Sequence, residues 1–231
     1  MTPQHHGASR YLKDAVYGAN DGIITTFAIV AGVAGAGLSS ATVLLLGTAS
    51  LVADGFSMAV SSWLSTKSER EVYQRERFVE EWELRNRRAS ELTEMRKMLT
   101  EKGYSPVEAK TLSDLLVKNK DLWLDVMMRE ELQLSGAHAL EPLRGALTTF
   151  FAFVVAGSIP LFSYIFFPSH HPNLFFTASL FTAIALFVAG SLRSNFVKRR
   201  ALFSGFEMLI VGGIAAVIAY TIGAFIKTLI G

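Results

Sequence analysis

The chain has 231 residues, 51% of them hydrophobic, and its mean hydropathy of +0.35 is high for a soluble domain. Its net charge of +2 is the near-cancellation of 22 basic and 20 acidic side chains, so charge gives no reason to expect nucleic-acid binding. Because cysteine is absent, disulfides, thiolate metal sites and a cysteine nucleophile are excluded.

The N-terminal segment, 1–12, is short and polar, and it resembles neither a cleavable signal peptide nor a long organellar targeting extension. This segment is followed by apolar runs. Their lengths are close to or greater than the roughly 20 residues that a helix needs to cross a bilayer. The five runs are 15–38, 41–65, 145–167, 174–192 and 203–230. The sequence therefore predicts an all-α membrane protein with five transmembrane helices. We divide it into 1–66, an insert at 67–141, and 142–231.

The orientation in the membrane follows from the distribution of Lys and Arg, which favour cytoplasmic loops. Arg10 and Lys13, the insert, and a basic junction between runs four and five (193–200) all fall on one side. The two chargeless connections and the C-terminus fall on the other. We therefore expect a cytoplasmic N-terminus, a cytoplasmic insert and an external C-terminus.

An odd number of spans without a visible internal repeat argues against an inverted-repeat transporter built from one chain. A homodimer with its pathway at the subunit interface would restore the symmetry. Small residues allow close helix contact in membranes, although they are also common there in general. The candidates for such contacts are Gly32, Gly35, Gly212, Gly213 and Gly223.

The insert is the most polar part of the chain, with 14 of the 22 basic and 16 of the 20 acidic residues. Gly and Pro are absent between Gly55 and Gly103, so the second transmembrane helix is expected to continue into the insert. Ser105 with Pro106 and Glu108 predicts the start of another helix, and Asp121 the start of a third that reaches Gly136. We predict an all-helical bundle.

Carboxylates within the insert recur at helical spacing: Glu80 with Glu83, and Glu91 with Glu94. Glu80 and Glu91 would lie roughly 16 Å apart on a straight helix, too far to share one ion. A common site therefore requires a break, which we place at 86–90 with Ser90 as the new N-cap. Alternatively, these acids form an ordinary solvated surface. Their partners would then be Arg85, Arg87, Arg88, Arg96 and Lys97.

Met128 and Glu131, three residues apart, would add a thioether and a further acid. Oxygen ligands suit Mg²⁺, Ca²⁺, Mn²⁺ and Fe²⁺, whereas sulfur favours softer first-row ions. If the cluster binds metal, the combination points to Fe²⁺ or a similar divalent ion. No His or Cys belongs to it, so a structural zinc site is disfavoured.

Ionisable groups within membrane spans are costly and usually mark a transport pathway. Asp21 and Met58 would each lie about 10 Å inside the cytoplasmic boundary, with Asp54 one turn deeper than Met58. The alternatives are that Asp21 caps or kinks its helix at Gly22 and that Asp54 bonds to neighbouring hydroxyls. Glu207 is expected to reach the basic junction. Pro160 predicts a kink in the third span.

Several segments together resemble the vacuolar iron transporter family over nearly the whole chain. They are YGANDGIITTF at 17–27, SMA at 57–59, LSTKSERE at 64–71, MREEL at 128–132, and SGFEML at 204–209 with Gly212 and Gly213. The first segment is the most specific.

The resemblance implies a five-helix homodimer that exports Fe²⁺, and also Mn²⁺, from the cytoplasm in exchange for protons, with no prosthetic group and Zn²⁺ as a further ion that could bind. It implies a pathway between subunits that includes Asp21 and Met58. It also implies a cytoplasmic metal-binding domain of three helices. Its ligands would be Glu80, Glu83, Glu91, Glu94, Met127, Met128 and Glu131.

Because the insert is similar to that of the bacterial branch, we expect a bacterial inner membrane. A rival hypothesis is a membrane-anchored metal sensor or scaffold that binds ions without transporting them. Polar groups at membrane depth favour transport, and no catalytic arrangement supports an enzyme.

Overall fold

The computed structural model describes residues 6–134, 141–168, 173–197 and 200–230. These residues are almost entirely helical, and none of them lies in a β-strand. The chain divides into two compact units, one formed by Met1–Trp63 with Pro142–Gly231 and the other by Leu64–Glu141.

The first unit contains the apolar helices that the hydropathy pattern predicts. By length and composition, five helical segments among the described residues are able to cross a membrane. They are Tyr11–Gly35, Ser40–Asn86, Pro142–Phe166, Leu174–Ser194 and Ala201–Ile230. The prediction of an all-α protein with five transmembrane helices is confirmed.

The helices of the described residues are numbered in chain order. They are α1 (His6–Gly35), α2 (Ser40–Asn86), α3 (Arg88–Glu101), α4 (Pro106–Leu116), α5 (Lys120–Glu130), α6 (Pro142–Gly157), α7 (Phe162–Phe166), α8 (Leu174–Val197) and α9 (Ala201–Ile230).

Helix α1 is the centre of the membrane unit and packs against α6, α8 and α9. Glycines make these contacts close: a Cβ on Gly18 would come within 2.5 Å of the Thr149 carbonyl oxygen, and one on Gly223 would overlap the carbonyl oxygen of Gly32. A Cβ on Gly213, by contrast, would meet no atom of another helix within 4 Å. Of the small residues that we named for helix contact, only Gly213 therefore faces open space.

The third span is broken where the sequence predicts a kink. Proline lacks the N–H that an α-helix needs at that position, so α6 ends at Gly157. A single 3-10 turn, Ile159–Leu161, carries Pro160, and the chain then continues as α7.

The second unit contains the continuation of α2 together with α3, α4 and α5. As predicted, α2 runs without interruption from the second apolar run into the charged insert and ends at Asn86. Ser105 caps α4 in a complete capping box with Glu108, and Pro106 occupies the first helical turn.

Three predicted helix limits in the insert are wrong in detail. The break after α2 is present, but the N-cap of α3 is Arg87 and not Ser90, because the chain resumes helical geometry after one residue. Helix α5 is capped by Asn119, whose side chain accepts from the Leu122 N–H, so Asp121 lies in its first turn. The same helix ends at Glu130, and Gly136 lies outside the described residues.

Apolar side chains from all four helices form one core in this unit. Trp123, Met127 and Met128 of α5 are almost completely buried, and Met95 of α3 lies beside them. A bundle of this kind gives the acidic residues around its core a fixed backbone.

Candidate metal centre

The break between α2 and α3 brings together acids that a straight helix would separate. The backbone N–H groups of Ser90 and Glu91 both bond to the Arg87 carbonyl, so α3 starts at once in a new direction. Glu80, Glu91 and Glu131 each place a carboxylate oxygen within 4.8 Å of the others. The predicted condition for a common site, a break near 86–90, is therefore met.

Three separate elements supply these carboxylates. Glu80 lies near the end of α2, Glu91 in the first turn of α3, and Glu131 at the C-cap of α5. Glu131 owes its position to the end of the helix, where Gln133 adopts the left-handed conformation (φ 55°) and the Leu134 N–H bonds to the Met128 carbonyl. Such a site forms only when the bundle is folded.

Two of the three carboxyl groups are buried. Glu80 is 3% exposed and Glu91 4%, whereas Glu131 is open to solvent. The Oε1 atom of Glu80 has no hydrogen-bond partner among the described residues. A buried carboxylate without a partner is costly, so the folded unit becomes more stable when this group binds a proton or a cation.

Burial, followed by repulsion from the other acids, raises the pKa of Glu80 from 4.5 to about 7. The same causes raise the pKa of Glu91 to about 7. Partial desolvation of its carboxylate by the neighbouring helices, followed by repulsion from Glu94 and Glu83, also raises the pKa of Glu131. All five acids therefore belong to one electrostatic cluster, which we call the acidic cluster.

The basic side chains near the acidic cluster are mostly paired with other acids. Among the described residues, Arg87 contacts the cluster as an ion-pair partner, through Glu83 at 3.3 Å. The remaining pairs are Arg85 with Glu81 at 2.5 Å, Arg96 with Asp114 at 2.8 Å, and Lys97 with Glu101 at 3.9 Å. Arg88 lies over the Trp123 ring. The alternative interpretation, an ordinary solvated surface of paired charges, therefore applies to these basic residues, to their acidic partners and to Glu83.

Met127 and Met128 lie in the bundle core, 0% and 1% exposed. Their burial places them on the inner side of α5, whose end carries Glu131. Ligand roles for these two thioethers and for the five glutamates stay predictions.

The membrane unit places Asp21 on α1 and both Asp54 and Met58 on α2, all three partly buried. The carboxylates of Asp21 and Asp54 are close enough to repel one another. The Ser50 hydroxyl donates a hydrogen bond to Asp54, one turn away, as the hydroxyl alternative anticipated. Helix α1 continues through Gly22, so Asp21 neither caps nor breaks it.

Sequence reasoning overlooked Asn20, whose side-chain oxygen is buried without a hydrogen-bond partner among the described residues. It carries no charge, so only its position beside Asp21 could have drawn attention to it. Glu207 behaves as expected, since Arg193 at the basic junction lies 4.0 Å from it.

Known proteins of one family match this chain over almost its whole length. A family model described as the VIT family matches residues 12–224. The chain is 33% identical over 226 residues to vacuolar iron transporter 1 of Arabidopsis thaliana, covering 98% of this chain and 90% of that protein. It is 34% identical over 232 residues to the vacuolar iron transporter of Toxoplasma gondii, covering 97% and 77%. The vacuolar iron transporter of Plasmodium berghei (strain Anka) is 33% identical over 239 residues, with 97% and 86% covered.

Proposed function

The chain belongs to the VIT family, and on this premise we propose that it transports divalent metal, Fe²⁺ and also Mn²⁺, out of the cytoplasm in exchange for protons. The observation that carries the proposal is the convergence of Glu80, Glu91 and Glu131 within 4.8 Å. The relatives are named vacuolar iron transporters, and this supports iron as the transported ion.

The acidic cluster is proposed to collect metal on the cytoplasmic side. Three carboxylates from three elements, two of them buried, offer oxygen ligands to a hard or borderline divalent ion. Glu83 and Glu94 would add negative charge at the rim, and Met127 and Met128 sulfur from the core. Because Glu80 and Glu91 have pKa values of about 7, an arriving cation displaces protons from a partly protonated cluster.

Asp21, Met58 and Asp54 are proposed to form the pathway through the membrane. Two neighbouring carboxylates that repel one another gain most from a shared cation, and a thioether on the next turn of α2 adds a softer ligand. If the metal and protons compete for the same carboxylates of this pathway, metal movement in one direction is coupled to proton movement in the other.

A homodimer is proposed because α2 presents an unused face of small residues. Ala49, Ala53, Ser57 and Ser61 are spaced four residues apart and are all exposed in the single chain. Small residues at this spacing allow two membrane helices to approach closely. We propose that α2 of a second copy packs here, next to Asp54 and Met58. The cytoplasmic N-terminus, the external C-terminus and a bacterial inner membrane stay predictions.

The proposal is tested by Fe²⁺ uptake into proteoliposomes with an imposed pH gradient. The wild-type protein should show uptake that collapses with a protonophore, and Asp21→Ala should reduce it at least tenfold. Glu207→Ala, which removes another acid of the membrane unit, is the matched control and should retain most of the flux, because Glu207 pairs with Arg193. Flux that ignores both the gradient and Asp21→Ala would overturn the antiport mechanism. Metal binding without any flux would instead favour a sensor or scaffold.

A further inference from the structure

The outward side of α9 near its N-terminus forms a groove that the transport proposal does not use. Its volume is about 550 Å³. The groove is lined by Arg200, Phe203, Ser204, Phe206, Glu207 and Ile210. It lies at the end of the membrane unit that carries the basic junction.

The wall of the groove consists of large apolar side chains that are exposed. Phe203 is 74% exposed, Phe206 57% and Ile210 62%. Their spacing of three and four residues places them on one helix face, whereas Ser204 and Met208 lie on the buried face. In a bilayer, this outward face meets acyl chains.

The charges at the groove are not balanced. Glu207 has Arg193 as its ion-pair partner at 4.0 Å. Arg200, at the polar end of the groove, has no carboxylate partner among the described residues. Together these three groups leave one net positive charge at this end of the membrane unit.

We propose that the groove binds an anionic glycerophospholipid, with the phosphate at Arg200 and one acyl chain along the two phenylalanines and Ile210. The dimensions fit this occupant: Arg200 and Ile210 are ten residues apart, about 15 Å along the helix, which is about half of the roughly 30 Å hydrocarbon core. Charge complementarity favours an anionic headgroup, and basic clusters on the cytoplasmic side of membrane helices bind such lipids in general. The inference does not depend on metal transport.

The test is native mass spectrometry of the full chain titrated in detergent with phosphatidylglycerol or with phosphatidylcholine of the same acyl chains. We expect tighter binding of phosphatidylglycerol, and Arg200→Gln should weaken it about fivefold. Lys227→Gln is the matched control, because it removes one positive charge from the same helix near its opposite end and should leave binding unchanged.

Glu207→Gln should act in the opposite direction and strengthen phosphatidylglycerol binding, because it removes the only negative charge among the groove's described lining residues. This variant also keeps the test decisive if Arg200→Gln does not fold. Equal binding of the two lipids would overturn the proposal, as would equal losses in Arg200→Gln and Lys227→Gln. A change of oligomeric state in Phe203→Ser without loss of lipid would show that a second copy covers the groove instead.

Discussion

Replacing Glu80 by Gln should make the metal-free protein more stable at pH 8 while abolishing its stabilisation by metal. Glu80 is 3% exposed, and its pKa rises from 4.5 to about 7. For an acid with a raised pKa, the folded state binds the proton more tightly than the unfolded state. The stability that this provides is present at low pH and is lost as the pH rises from about 4.5 through 7.

The size of the effect follows from the same shift. Two to three pKa units correspond to about 3 kcal/mol, and water reaching the cluster beside exposed Glu131 reduces this to about 2 kcal/mol. The amide of Gln has nearly the same shape and never ionises, so Glu80→Gln should gain about 2 kcal/mol at pH 8 and almost nothing at pH 5. For a unit of this size, the unfolding midpoint should rise by on the order of 10 °C.

Metal should reverse the order of stability, so that the wild-type protein becomes more stable than Glu80→Gln. At a free Mn²⁺ concentration a hundred times the dissociation constant, wild-type protein should gain about 2.7 kcal/mol. Glu80→Gln should gain little, because it lacks one of the carboxylates that we propose as metal ligands. Mn²⁺ is a convenient probe because it does not oxidise in air.

The assay is thermal unfolding of the full chain in detergent, followed by tryptophan fluorescence, at pH 5 and pH 8 with EDTA or with Mn²⁺. Trp123 lies in the core of the insert and reports on that unit. Glu81→Gln is the matched control, since Glu81 pairs with Arg85 and Lys120 and should keep the full metal response. Destabilisation of metal-free Glu80→Gln at pH 8, or an undiminished Mn²⁺ shift, would refute the reasoning.

Three further predictions concern packing and helix ends, each measured by thermal unfolding. Gly223→Ala should destabilise the contact between α1 and α9 by about 2 kcal/mol, because its Cβ would overlap the Gly32 carbonyl. Gly213→Ala is the control and should be neutral, so equal effects of the two substitutions would contradict this packing. Ser105→Ala should cost about 1 kcal/mol through loss of the capping box, and an unchanged midpoint would show that the cap contributes nothing. Gln133→Gly should stabilise the insert by roughly 0.5–1 kcal/mol because its φ of 55° is unfavourable for a side chain, and a loss of stability would show that the Gln side chain has another role.

The elements that could be predicted are those whose cause is local. Apolar runs of membrane length, the lack of Gly and Pro along the second half of α2, and the Ser105 capping box each act within a few residues. The errors have the same explanation in reverse. Ser90 is a good capping residue by itself, but the N-cap of α3 is Arg87, three residues earlier, where the packing of the helix's buried face requires it.

Helical spacing could pair Glu80 with Glu83 and Glu91 with Glu94, but it could not predict which of the four would be buried and which would form ion pairs. The structure buries Glu80 and Glu91 and leaves Glu94 exposed, while Arg87 pairs with Glu83. Nor could spacing decide which basic side chains would compete with a metal for these carboxylates, because Arg85, Arg96 and Lys97 all lie at suitable positions. Pairing depends on which helix each side chain meets.

The sequence by itself determined five membrane helices, a charged helical insert and the residue types of the acidic cluster, because hydropathy and helical periodicity are properties of short segments. Only the tertiary structure decided that Glu80, Glu91 and Glu131 meet within 4.8 Å. Their meeting depends on the angle between α2 and α3 and on where α5 ends, and both are set by the packing of a common core. The same packing withdraws two carboxylates from water, and burial together with their proximity raises their pKa values to about 7.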